Sequence, residues 1–514
     1  MKRLLNFQSI HSAIPYLILG FILVIQGVVM YSLNAGKFMY TLDDPYIHLA
    51  LARNIYAGHY GLQLIEPSAP SSSILWPFIL ALFAPLAFFE YIPLILNILF
   101  GFGILFFISK SIRLIFQDTI STTKKAVIIS IFIIISSLTP LIWSGMEHIL
   151  QILLTSILIY NVLELEINNK LNKSIIITIM LSSLIRYENL AISVPLLIYL
   201  YFKGYRLLSL LGLILTLAPL AAFSYFLHRI GLSYLPTSVI IKTSFFSSKS
   251  SFEVLLINIS FAMQEATWYY LLGLLILIGI KLRQKSNFYL KLTIMTSIVL
   301  QLIFGTTLGS FHRYETFMFI YATVVFIYLY RNTIQVAISN TRNILATILL
   351  LLTVLIFSKY IYNMVHAPAM SNSIYSQQYQ MALFASKYYN ANVGVNDIGL
   401  VSYFNPHYTL DLFGLSNIDV IDYRRTNSPN WMETIASQYD VNLIMIYDSW
   451  FKTYLPSDWT QIGKLHLESR YASVEEPDVS FYVRDPNTSA QVRQLLEQFS
   501  QTLPKGTEFR FAQE

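Results

Sequence analysis

The sequence predicts an all-α polytopic membrane domain followed by a small α/β outer domain, and three observations in its 514 residues carry that expectation. Apolar residues make up 55% and charged residues only 12%, against roughly one quarter charged in soluble domains. The charges divide near residue 364: before it stand 24 Lys/Arg and 12 Asp/Glu, after it 10 basic and 16 acidic residues. Apolar runs bounded by charges recur as far as residue 361, on the scale of the roughly 20 residues a helix needs to cross the hydrocarbon layer. The expected domains are therefore 1–364, transmembrane, and 365–514, extracytoplasmic. This composition excludes a soluble globule. No Lys/Arg run or basic-aromatic stripe offers a nucleic-acid footprint, and the lack of cysteine excludes thiolate metal sites, redox motifs and disulfides.

The first span, 13–33, follows Met1-Lys2-Arg3 like a signal sequence, but its apolar run is too long and lacks a small-x-small cleavage site, so it reads as a retained anchor. Further spans are expected at 93–109, 126–142, 148–164, 174–185, 189–202, 207–227, 266–280, 289–307, 314–330 and 343–361, about eleven crossings in all. Alternate connections then hold 16 of the 24 basic residues, among them Arg113, Lys124, Lys125, Lys203 and Lys281, which places those connections and the N-terminus in the cytoplasm. The stretch 74–89 would invert everything downstream if it crossed, so it is read as an interfacial or re-entrant helix in the first outer loop.

This topology leaves a set of charges on the outer side that the positive-inside rule does not explain. Charges at membrane depth cost about 2.5–3.5 kcal/mol each at a helix centre, so they generally serve a site. Thr41 to Gly58 reads as a short helix with Asp44 at its N-cap, Pro45 at the first helical position and Gly58 just past its end. A cap explains Asp44 better than catalysis does. Asp43 precedes the cap, is not needed by the helix donors, and is the candidate base. Glu147 starts the fourth span, where the helix dipole favours a carboxylate as well as a site would. Arg186 and Glu188 lie at the tip of the hairpin between spans five and six, either bracing it as a pair or serving the site. Lys242 follows Leu235-Pro236-Thr237 in an outer loop, and His312-Arg313 precede the tenth span. Snorkelling to headgroups accounts for a lone Lys, and headgroup phosphate for Arg313. Several cations gathered about one carboxylate suggest a site for a lipid-borne phosphate.

The pattern Asp43-Asp44-x-Tyr46, Ala52-Arg53-Asn54, Gly58-x-x-Gly61, Ser72-Ser73-x-Leu75-Trp76 and Ser144-Gly145-Met146-Glu147 resembles integral-membrane glycosyltransferases of the GT-C superfamily, with most likeness to the cell-wall arabinofuranosyltransferase branch. Arg186-Tyr187-Glu188 resembles that family's Arg-Pro-Glu, with Tyr187 in place of proline. Arg229, Gly231, Leu235-Pro236-Thr237 and Lys242 resemble another of its motifs. Asp397-Ile398-Gly399, Tyr403 and Asp411 to Leu415 resemble the branch's outer domain. Ser71-Ser72-Ser73 departs from the family's Gly-Tyr-Thr-Ser/Asn-Pro.

The resemblance implies a polyprenyl-phosphate-sugar donor reached from the bilayer and a glycan, lipid or protein acceptor whose hydroxyl enters from the outer side. Asp43, with Asp44 as its alternative, matches the first-loop base, and Glu147 is the nearest match to a second-loop acid that binds acceptor or metal in some members. No metal or other cofactor is assigned, and a divalent cation is left open. The leaving lipid phosphate needs charge stabilisation more than protonation, which suits Arg186, Lys242 and Arg313, then His312 and Arg229. Glu188 stands with Glu147 on the acceptor side. The expected activity is hexosyl or pentosyl transfer with inversion, in a bacterial inner membrane with the C-terminal domain in the periplasm or outside the cell. A lipid-linked saccharide flippase and a non-catalytic membrane subunit are the alternatives. In the outer domain a helix is expected over 376–389, strands at 392–395, 400–404, 408–412, 443–447 and 480–483, and a helix over 490–499, with Asp397 and Asp411 in turns.

Overall fold

In the computed structural model the described residues are 2–242, 253, 256, 259–260, 262–305, 310–339, 356–426, 428–471 and 473–513. Helix α1 (Lys2–Leu33) leads to the short α2 (Asp44–Tyr56) and α3 (Leu75–Ala81), then to α4 (Ile92–Phe116), α5 (Thr122–Ile135) and α6 (Leu138–Trp143). There follow α7 (His148–Asn168), α8 (Ile175–Ile185), α9 (Leu190–Phe202), α10 (Arg206–Arg229) and the short α11 (Thr237–Lys242). Next come α12 (Ala266–Ile280), α13 (Phe288–Phe304), α14 (Thr316–Leu329) and α15 (Arg331–Ser339).

Among the described residues five helices are long and apolar enough to cross a membrane: His11–Leu33, Phe89–Phe116, His148–Asn168, Arg206–Arg229 and Ala266–Arg283. A pair bent by 81°, Thr316–Leu329 with Arg331–Ile338, makes a sixth. The chain is an integral membrane protein. The expected spans at 174–185, 189–202 and 289–307 are apolar helices shorter than a full crossing. The expected span at 126–142 is broken where Ser137 takes a left-handed backbone (φ 49°), separating α5 from α6. Most of the expected span at 343–361 lies outside the described residues. Helix α3 has seven residues, about 10 Å of length, far short of a crossing.

The chain forms two compact units. The first comprises Met1–Ile25, Leu94–Phe223 and Ser244–Val365. Its two ends have different chemistry. At one, Lys203 pairs with Glu166 at 2.7 Å, Lys281 donates to the Leu329 carbonyl and Lys124 to that of Ile338. These bonds join the connections that the basic residues had assigned to one side. At the other end, beside the start of α7, stand Glu147, Arg186 and Glu188.

The second unit comprises Gln26–Pro93, Ser224–Thr243 and His366–Glu514, so two segments expected as outer loops of the membrane domain belong to it together with the ends of the expected spans 13–33 and 207–227. It carries α16 (Ser358–Ser376) beyond its first turns and α17 (Gln378–Leu383), then β1 (Val393–Val395), α18 (Gly399–Phe404), β2 (Thr409–Asp411), α19 (Ile418–Thr426) and α20 (Trp431–Gln438). After these come β3 (Leu443–Ile446), α21 (Asp448–Phe451), β4 (Thr460–Leu467), β5 (Asp478–Val483), α22 (Ser489–Ser500) and β6 (Thr507–Phe511). The strands form one sheet in the order β2-β1-β3-β5-β4-β6, parallel among β2, β1 and β3 and antiparallel beyond. Leu410, Ile444 and Ile446 pack on Trp431, Ile435 and Phe451 as a core on one face. The stretch 400–404, expected as a strand, is helical. Its Leu-Val-Ser-Tyr-Phe composition favours a pleated surface, and tertiary bonds to the start of α18 override that preference.

Candidate active site

In a sheet with parallel strands, ligands bind beyond the carboxyl ends of the strands, at the point where the connections diverge to opposite sides. Here β1 lies between β2 and β3, so that point falls at the end of β1. The residues after β1 are Asn396 and Asp397, and those after β3 are Tyr447 and Asp448. The Tyr447 hydroxyl lies 2.9 Å from Asp397 Oδ2 and 2.6 Å from Gln377 Oε1, and Gln378 Nε2 donates to Asp397 at 2.9 Å.

Into this place comes the first-loop acid. Helix α2 begins at Asp44, one residue earlier than the sequence suggests, so Asp43 holds the N-cap position; Gly58, with φ 85°, follows the end as expected. Asp43 makes no side-chain bond to its own helix. Its carboxylate accepts the backbone N–H of Gly399 at 2.6 Å on Oδ2 and that of Leu400 at 2.8 Å on Oδ1. It is thus turned to the start of α18 rather than projecting freely from the end of the first span. Gly399 permits the approach because it has no side chain: a Cβ there would lie 2.1 Å from the Asp43 carbonyl oxygen and 2.6 Å from Oδ2.

Burial pushes the Asp43 carboxyl up to about 8, the nearby charge of Asp397 adds to the rise, and the two N–H donors oppose it. Asp397 is likewise raised by burial, against the hydrogen bonds of Gln378 and Tyr447. Two carboxyls in one low-dielectric place resist simultaneous ionisation, so a proton is retained there well above the ordinary carboxylate range. A group poised in this way can take a proton from a hydroxyl near neutral pH.

Other parts of the resembling pattern meet in the same unit. Thr237 donates to the Ala69 carbonyl at 2.8 Å and also contacts that of Leu415, tying three distant segments together. Glu66 accepts from the hydroxyls of Tyr408 at 2.6 Å and Tyr439 at 2.9 Å, whose rings stack at 4.7 Å. Arg53 lies over the Tyr403 ring and donates to the Tyr403 carbonyl. Arg229 is exposed at the end of α10. Lys242 ends α11, and its side chain lies outside the described set. Asp411, expected in a turn, ends strand β2, and its carboxylate accepts from the N–H groups of Phe413, Gly414 and Ser416 in the bend that follows.

The remaining predicted residues belong to the first unit. Arg186, only 2% exposed, bonds Glu147 Oε1 at 2.8 Å through one nitrogen and Glu188 through two others, at 2.5 and 3.1 Å. The bracing pair is therefore present, and Glu147, at the N-cap position of α7, bonds Arg186 instead of capping its helix. With two carboxylates about one guanidinium, the three side chains are formally one charge negative. Arg186 and Arg313 both lie over the Tyr314 ring, at 5.2 and 5.1 Å. His312 stacks on Tyr360 at 4.1 Å and faces Glu315 at 3.0 Å and Glu265 at 3.5 Å. Phe311 and His312 both have left-handed backbones, a conformation costly for such side chains and often retained at functional sites. Arg186→Gln is expected to cost about 3–5 kcal/mol, because it leaves buried carboxylates without their cation. The check is the unfolding midpoint in detergent; Arg186→Lys should recover only part, since a point charge cannot bond both partners as a fork does.

The structure thus gathers Glu147, Arg186, Glu188, His312 and Arg313 in one unit and Asp43, Asp44, Arg229 and Lys242 in the other. Sequence reasoning did not foresee Gln377, Gln378 or Tyr447, and it read Asp397 as a turn. A carboxylate two positions before a glycine, after a short apolar strand, was the available signal. Among the described residues no group of three or more His, Asp or Glu side chains is arranged to hold a metal ion.

Residues 370–482 match a family model described as Domain of unknown function (DUF8728). No curated protein sequence matches the chain. Among solved structures, ArnT from Cupriavidus metallidurans, bound to undecaprenyl phosphate, is similar at 11% identity and a TM-score of 0.49, over 91% of this chain and 98% of that one. The Archaeoglobus fulgidus oligosaccharyltransferase, in complex with zinc and sulfate, is similar at 11% identity and a TM-score of 0.45, over 95% and 74%. The same archaeal protein, AglB, with an inhibitory peptide and a dolichol-phosphate, gives 11% identity and a TM-score of 0.44, over 95% and 75%.

Proposed function

We propose that this protein is a membrane glycosyltransferase of the GT-C type, moving a hexosyl or pentosyl group from a polyprenyl-phosphate donor to an acceptor hydroxyl on the outer side of a bacterial inner membrane. The N-terminus faces the cytoplasm and the C-terminal domain the periplasm or exterior. The observation that carries the reading is the Asp43 carboxylate, raised to about 8 beside Asp397 and held by the N–H groups of Gly399 and Leu400.

Asp43 accepts the acceptor hydroxyl's proton as the oxygen attacks the anomeric carbon. The bond to the lipid phosphate breaks and its electron pair leaves with the phosphate, with inversion at the sugar. Asp397 and Tyr447 act through Asp43 as positioning residues, and the charge of Asp44 adds to the rise that makes Asp43 the stronger base. Arg186 is taken up by Glu147 and Glu188, and the phosphate is assigned to Arg313 and Lys242, with His312 and Arg229 after them. Glu147 and Glu188 fix Arg186 and thereby the hairpin tip. No metal is assigned a part.

The engagement of both Asp43 oxygens by backbone donors favours a second reading, a non-catalytic membrane subunit in which Asp43 serves only to dock the first loop. The test is to give purified protein in nanodiscs a panel of polyprenyl-phosphate sugars and cell-envelope acceptors, and to read the product's anomeric configuration by NMR. Transfer with inversion is expected. Retention would overturn the single displacement, transfer only with an added partner would favour the subunit, and translocation in proteoliposomes without product would favour a flippase.

A further inference from the structure

We propose that a cleft beside the α4–α5 connection binds the phosphate group of an anionic membrane lipid. The cleft, of about 220 Å³, is lined by Ser12 of α1, Arg113 of α4, and Thr122, Lys125, Ala126 and Ile129 of α5. It lies at the end of the first unit where the basic connections gather.

Two cations share this small space. Lys125 is held toward the turn by the Gln117 carbonyl, which it contacts closely. Its charge is disfavoured first by burial; Asp118 opposes that effect and Arg113 adds to it. Among the described residues neither Arg113 nor Lys125 has a carboxylate within ion-pair distance. Lys124, one position away, is directed elsewhere and donates to the Ile338 carbonyl at 3.0 Å. With Asp118 near but outside ion-pair distance, the two like charges still repel each other, and a phosphate would relieve that repulsion while accepting bonds from both. The Thr122 hydroxyl supplies a further donor of the kind phosphate oxygens take.

The place of the cleft tells a lipid from a free anion. Residues 122, 125, 126 and 129 are three, four and seven positions apart, one face of a helix. Ala126 and Ile129 are covered and close the floor of the cleft, so what it offers a ligand is the hydroxyl and ammonium end of that face. Basic groups just before an apolar run meet lipid headgroups at the membrane surface, where a phospholipid presents its phosphate and keeps its chains in the bilayer.

The experiment uses the full chain in nanodiscs of mixed phosphatidylglycerol and phosphatidylcholine, with native mass spectrometry reading the lipids retained. Phosphatidylglycerol should be retained about tenfold or more over phosphatidylcholine, the scale expected of two cations near an anionic headgroup. The double variant Arg113→Gln, Lys125→Gln should lose that preference, and Lys124→Gln should keep it. Equal retention of the two lipids, or an unchanged preference in the double variant, overturns the proposal. Displacement by inorganic phosphate at concentrations equal to the lipid would reduce the site to a simple anion site and overturn the lipid assignment. Since no sugar donor is present, these outcomes are independent of whether the protein transfers sugar.

Discussion

Asp43→Asn is expected to lower sugar transfer by about 10²- to 10⁴-fold, the range that a positioned general base supplies. An amide cannot take the hydroxyl proton. It also turns one of the two acceptor oxygens into an NH₂ group facing a backbone N–H of Gly399 or Leu400, so one docking bond is lost with the base. In the wild type, kcat/KM should rise with pH and level off above about 8, because the carboxyl must lose its proton to act and burial beside Asp397 delays that loss. Stability runs the other way. A carboxyl whose pKa is higher in the folded protein than in the unfolded chain contributes stability fully below the unfolded value of 3.8, and that contribution is lost as pH rises through about 8. The unfolding midpoint should therefore decline with pH more steeply in the wild type than in Asp43→Asn. Wild-type turnover in the variant, or a flat rate profile between about pH 6 and 9, would remove the base assignment.

Gly399→Ala leaves the acid in place and removes its seat. The added methyl carbon would lie 2.1 Å from the Asp43 carbonyl oxygen and 2.7 Å from its carboxyl carbon, so the first loop must move off the start of α18. Displacing a reacting group by about 1 Å can cost on the order of 10²-fold, and that loss in kcat is expected here with little change in KM for the donor. The overpacking should also destabilise by about 1–3 kcal/mol. The comparison separates two roles for one contact. Loss of rate in Gly399→Ala with its carboxylate intact means that docking positions the base. A faster Gly399→Ala enzyme would mean that docking restrains it, and would overturn the positioning argument.

Much of the membrane unit was legible because its signals are long and local. Apolar runs between charges marked the helices, and the sidedness of the basic residues marked which connections share an end, as the bonds of Lys124, Lys203 and Lys281 bear out. Ser137 broke an expected span, and Pro140, in the first turn of the helix that restarts there, was the signal that announced it. In the outer domain, β1, β2, β3 and β5 follow their apolar runs, whereas β4 and β6 were missed because Lys464, His466, Glu508 and Arg510 make them polar on one face. The strand expected at 400–404 failed for a reason invisible to propensity: its helix begins where a carboxylate from the first loop receives two of its N–H groups. The identity of Asp43 as the acid to watch came from a capping argument and a resemblance, while its partners Asp397 and Tyr447 could not be paired with it from spacing alone.

The Asp43 carboxylate and the Gly399 N–H that receives it are 356 positions apart in the chain. At a synthesis rate of roughly 5–20 residues per second, the acid waits on the order of twenty to seventy seconds for its donors to be made. Throughout that interval the first loop is in place without its seat. Maturation of this centre consequently waits for Gly399 and Leu400, and a ribosome that stalls before them would leave the first loop without its seat.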